Sequence, residues 1–201
     1  MVDEAKDAID KLLPFANAID KMAALSVKGS ILASSRQIQE ALATIVGALS
    51  DLGETIPQTY DDETLESLFA QTLQSVRDTS ISDVRRFKLA SPNDAAVPIT
   101  RFYDMVVKLS HLLHPNMLAI FACKSVMASM KMGWTKFSSF SLAVFAARVV
   151  LPKGLIDERC VVSAVSVYLL CSLSFESLFL AISLNSAALL LDQFGHRFIG
   201  S

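Results

Sequence analysis

The sequence predicts an all-α fold, a stack of antiparallel helix pairs with about seven to nine helices, and three observations carry that expectation. Apolar residues recur at the helical pitch. Most prolines and glycines fall between these patterns rather than inside them. Strict apolar–polar alternation, the mark of a half-buried strand, is confined to Val161–Val167, where a buried helix fits as well.

The elements follow in order. The breakers Pro14, Gly53, Pro57, Pro92, Pro98, Pro115, Gly133, Pro152 and Gly154 divide the chain into segments. Ile38, Leu42, Ile45, Val46, Leu49 and Leu52 share one stripe of a 3.6-residue period, which makes this the best-defined helix. Asp61 and Asp62 then supply capping oxygens, Glu63 and Glu66 place acid in a first turn, and Leu65, Leu68, Phe69, Leu73 and Val76 repeat the spacing. A third helix runs from about Pro98 with Phe102, Met105, Val106, Leu109 and Leu113 aligned. A fourth starts at Pro115 and stops at Gly133, and a fifth covers roughly Lys136 to Leu151. Short connections between helices of this length imply that sequence neighbours pack antiparallel.

The 201 residues are enough for one core without disulfides or metal. Hydrophobic residues make up 52% and charged residues 19%, so disorder is excluded and a large apolar surface must be buried. Residues 1–90 hold nine Lys/Arg against fourteen Asp/Glu, and residues 91–201 hold nine against six. Neither half has the basic face that a phosphate backbone requires, so nucleic acid is set aside as a partner. Cys123, Cys160 and Cys171 are odd in number, far apart and set in apolar runs, as expected of reduced thiols. The acidic start, Met1 to Asp7, lacks the basic character of an export or transit signal, and a cytoplasmic setting is expected.

Residues 22–53 resemble one tetratricopeptide-type helix pair. Leu25, Gly29 and Leu32 lie on one face of its first helix, with a small residue at Gly29 where a partner helix approaches. Ala41, Ile45 and Ala48 give the small, large, small pattern of the second helix. The turn departs from the pattern, with Ser35-Arg36-Gln37 in place of Gly-Asp, and Ser34 with Gln37 would form a capping box. The stretch from Asp51 to about Asp157 resembles the helical region of large signalling proteins that combine a protein kinase and a P-loop ATPase. Its most specific portion is Gly133-Trp134, Phe137, Ser138-Ser139-Phe140 and the turn at Gly154. That resemblance implies a tetratricopeptide-like α-solenoid over residues 1–158, as a piece of a longer architecture. It breaks off after Arg159, and no Gly-rich phosphate loop or kinase catalytic loop is present, so those activities are not carried over.

Few residues offer chemistry. His111 and His114, with Asp104 two turns before His111, form at most a partial metal set, and their place at the edge of an apolar helix end explains them better. Ser34-Ser35 and Ser138-Ser139 lack a nucleophile turn and are expected to cap. Cys160 beside Arg159 sits among apolar residues and is expected to be inert. No catalytic residue, cofactor or metal is assigned.

Residues 159–201 stand apart as an apolar C-terminal helix or helix pair. The run 160–191 carries Glu176 as its sole charge. One helix of that length would measure about 48 Å, more than a bilayer core, while two arms split at Glu176 would each be too short to span. Seven serines dilute the signal, which favours a buried packing pair; the rival is a membrane-anchoring segment on a soluble helical domain. The function expected is therefore non-enzymatic: an interaction or coupling segment whose first helices, including Gly29, Leu32 and Phe140, line a groove for a protein, a peptide or neighbouring domains. The basic group Arg85, Arg86 and Lys88 is a further candidate for partner contact.

Overall fold

A computed structural model describes residues 2–78, 90–91, 94–110, 113, 115–135 and 137–145. Over these the protein is all-helical, with seven α-helices: α1 (Val2–Leu12), α2 (Ala18–Ser34), α3 (Ile38–Asp51), α4 (Asp62–Asp78), α5 (Ala96–Ser110), α6 (Pro115–Met132) and α7 (Ser138–Phe145). A single 3-10 turn, Leu13–Phe15, joins α1 to α2, and no strand occurs among the described residues. The boundary at 158/159, the run 160–191, Cys160, Cys171, Arg85, Arg86, Lys88, His111, His114 and Gly154 lie outside the described residues. None of the helices described is long and apolar enough to cross a membrane.

The helix ends follow from local chemistry. Asn17 caps α2 by accepting the Asp20 N–H at 2.9 Å, and Asp61 does the same for α4 by accepting the Thr64 N–H at 2.8 Å. Hydrogen bonding from the Thr64 side chain, and after it from this N–H, holds the Asp61 carboxyl below its ordinary range. At the end of α2, the Gln37 N–H reaches the Leu32 carbonyl at 2.9 Å and the Arg36 N–H reaches the Ala33 carbonyl at 3.0 Å. This is a Schellman motif, and Arg36 takes the left-handed position at φ 62 that glycine usually holds. The Ser34–Gln37 capping box does not form. The Ser34 hydroxyl instead donates to the Ser30 carbonyl, and Gln37 makes no side-chain cap. The end of α3 repeats the same motif with Gly53 at φ 84, and α6 stops at Gly133 with φ 107.

A link of three residues reaches at most about 10 Å, so α2 and α3, packed along their length, must run antiparallel. The four residues between α5 and α6 impose the same reversal. The two hairpins then stack: α3 packs on α5, α2 touches α5, and α7 packs on both α6 and α5. Helix α1 leans on α2 and is tied down by ion pairs from Lys6 to Glu40 and from Lys28 to Asp10. One element departs from nearest-neighbour packing. Helix α4 finds its main partner in α6 rather than α3, because residues 52–61 are long enough to carry it there.

The core runs through these contacts. Leu32, Ile45 and Leu49 from the first hairpin and Phe102, Val106, Phe121 and Val126 from the second are essentially inaccessible. Burying each such side chain contributes about 1.5–3 kcal/mol. Hydroxyls enter this core cheaply by donating to the carbonyl four residues back, as Thr72, Thr100, Ser110 and Ser129 do at 2.7–2.8 Å. Serine inside a helix of this protein is therefore no sign of an exposed face.

Candidate functional site

The residues expected to carry helix-pair packing come together at two places. Gly29, buried on α2, faces Ile45 of α3. A Cβ added to it would lie 2.9 Å from Ile45 Cγ1, 3.0 Å from Ile45 Cδ1 and 3.2 Å from Met105 Cε of α5. Three helices thus meet where only a hydrogen fits. Leu32, Ala41, Ile45 and Ala48 belong to the same core with at most 2% exposure, and Leu25 packs against that core. Gly29 and Leu32 therefore lie inside the interface and do not line an open groove, because an apolar Leu at a three-helix junction gains more from burial than from exposure.

The second place is the seam between α5 and α7. Arg101, Asp104, Met105 and Lys108 fall at helical spacing on one side of α5, and Phe137 and Phe140 face them from the start of α7. The Arg101 guanidinium lies 5.8 Å from the centre of the Phe137 ring, and the Lys108 ammonium 5.1 Å from that of Phe140. Lys108 also donates to Asp104 at 2.7 Å. Asp104 is 6% exposed, and burial pushes its carboxyl above the ordinary range, against the opposing pull of Lys108 and Arg101. Met105 extends the seam to α2 by accepting a hydrogen bond from Ser26 on its sulfur at 3.6 Å.

Beneath the seam is a buried hydroxyl chain. Thr100 and Thr135 share a hydrogen bond of 2.6 Å, and Ser138 shares one of 2.8 Å with the Ser129 hydroxyl and accepts from the Thr135 N–H at 3.1 Å. Ser138 thus closes the turn between α6 and α7, and its hydroxyl is engaged by both Ser129 and Thr135. Gly133 lets the chain reverse ahead of that turn.

A third group sits at the loop after α3. The Tyr103 hydroxyl donates to Glu54 at 2.5 Å, and burial together with this bond holds the phenol proton far above its usual range. Burial lowers the Lys124 ammonium, partly offset by the Glu54 charge. Tyr60 and Tyr103 both pack against the Phe121 ring, at 5.8 Å and 6.4 Å. This cluster fastens the α3–α4 loop to α5 and α6, and so sets where α4 lands.

Arg101, Lys108 and the paired role of Asp104 were not assigned from sequence. The signal was present in the spacing 101, 104, 108, which sets three charged residues on a single side of an otherwise apolar helix. Among the described residues no group of three His, Cys, Asp or Glu could hold a metal ion. No protein-family model, curated protein or solved structure matches the chain.

Proposed function

We propose that the chain is a non-enzymatic helical-repeat segment, resembling the tetratricopeptide-like arrays of kinase–ATPase signalling proteins, that works in the cytoplasm by partner contact. The observation that carries this reading is the order of packing. Hairpin α2/α3 meets hairpin α5/α6 through α3 on α5 and α2 on α5, and α7 continues the same relation to α5 and α6. Among the described residues each unit is covered on one side by the next, which is the physical basis of a repeat stack. Helix α4 is then an insertion that braces α6.

The contact face in this reading is the side formed by α2, α5 and α7, with its mix of aromatic rings, cations and Met105. The test is a selection of displayed peptides against the full chain, followed by amide hydrogen exchange of the complexes. Peptides that protect α2, α5 and α7 support the proposal. Protection confined to α4 and α6, or failure to select any binder, refutes it.

A further inference from the structure

We infer that Arg101 is a receptor for a side-chain carboxylate of an acidic peptide laid along the α5–α7 seam, an inference that rests on the reading of that side as the contact face. Arg101 makes no hydrogen bond and no ion pair with any described residue; it is held in place over the Phe137 ring. A guanidinium carries five N–H donors in a planar fork that matches a carboxylate, and an aromatic ring beneath it fixes the plane while leaving the donor edge open. The neighbouring cation is in the opposite condition, because Lys108 already spends its charge on Asp104. Arg101 acts on Asp104 only through its field, and is thus the cation of this seam with no carboxylate hydrogen-bonded or ion-paired to it among the described residues.

The pattern also constrains the partner. Arg101 and Lys108 are seven residues apart, about 10.5 Å along the helix. In a peptide wound as a polyproline II helix, with three residues per turn and a rise of about 3.1 Å, side chains three residues apart share one face and are separated by about 9 Å. A pair of acidic residues at that interval reaches both cations, with Arg101 making the stronger contact. Asp104 lies between them, so an anion placed midway meets like charge, and the intervening peptide residues must be uncharged.

The experiment uses the full chain and two ten-residue labelled peptides that differ only in a Glu-Ala-Ala-Glu or a Gln-Ala-Ala-Gln centre, read by fluorescence anisotropy and by amide shifts mapped on the protein. The Glu peptide is expected to bind at least about tenfold more tightly than its twin, the loss of one charge-assisted bidentate contact. Arg101→Gln should abolish the difference, Arg101→Lys should restore part of it, and the preference should weaken as salt rises. Because Arg101 makes no hydrogen bond with any described residue and only its contact with the Phe137 ring is at stake, the variants should keep the wild-type circular dichroism and lose little melting temperature. Equal binding of the twins at the seam overturns the carboxylate assignment while leaving the contact face intact. Shifts confined to α4 and α6 overturn both, as does no binding by either peptide. Competition by inorganic phosphate at the concentration of the Glu peptide would show a bare anion site and overturn the assignment to a peptide.

Discussion

The same substitution, glycine to alanine, should have different effects at two positions of one hairpin. Within a helix the change is worth about 1 kcal/mol in favour of alanine, because the backbone loses less freedom on folding. Gly47 lies exposed on α3 with no atom within 4 Å of a built Cβ, so Gly47→Ala should stabilise by about that amount. At Gly29 the added carbon would press on Ile45 Cγ1 at 2.9 Å, and Ile45 cannot swing aside, since its β-branched side chain is fully buried and held to one rotamer. Overpacking of this kind costs about 1–3 kcal/mol, so Gly29→Ala should be neutral to destabilising by up to about 2 kcal/mol. Urea denaturation followed by far-ultraviolet circular dichroism reads both shifts as changes in midpoint at constant slope.

A third measurement isolates the contact. Ile45→Ala alone should cost about 2–5 kcal/mol by opening a cavity. Combined with Gly29→Ala, whose methyl enters that space, the loss should fall short of the sum by about 1 kcal/mol or more. Gly29→Ala as stabilising as Gly47→Ala, or a double variant additive to within about 0.5 kcal/mol, would refute the three-helix junction.

Two further outcomes follow from the turns and the seam. Arg36 occupies a left-handed backbone at φ 62, so Arg36→Gly should raise stability by about 0.5–1 kcal/mol, while Gly53→Ala, in the matching position at φ 84, should lower it by about 1 kcal/mol; thermal melts of the two variants check the pair. Asp104 has its native carboxyl raised above the unfolded value of 3.8 by burial, so the native state holds the proton more tightly and stability is lost as pH rises from 3.8 through the native value. Asp104→Asn should match wild type in strong acid and gain on it as pH rises through that window. A relative gain by wild type instead, measured in urea midpoints at stepped pH, would show that the Lys108 pair outweighs burial.

The positions of Ile38 to Leu52, of Asp61 before α4 and of Pro115 and Gly133 around α6 were readable because helix pitch, capping oxygens and positive-φ glycine act within a few residues. The same locality explains one error. Ser34 and Gln37 have the composition of a capping box, but a Schellman turn at Arg36 satisfied the backbone first, and a sequence pattern does not rank two local solutions of similar energy. Gly29 was also legible as a close approach, although what it approaches was half hidden: Ile45 lies sixteen residues on, within the hairpin, while Met105 comes from a helix that no local pattern ties to α2.

The amino-acid order by itself determined that this protein is helical, where most helices begin and end, and that the three-residue link after α2 folds it back on α3. Tertiary structure alone decided that α3 goes to α5 and α4 to α6, and that Arg101 lies over the Phe137 ring with no hydrogen-bond acceptor among the described residues. The physical reason is range. Hydrogen bonds and side-chain spacing along a helix are fixed by neighbours four residues apart, but one apolar stripe fits several others about equally well. The choice among them rests on loop reach and on how completely each pairing removes water from all the stripes at once.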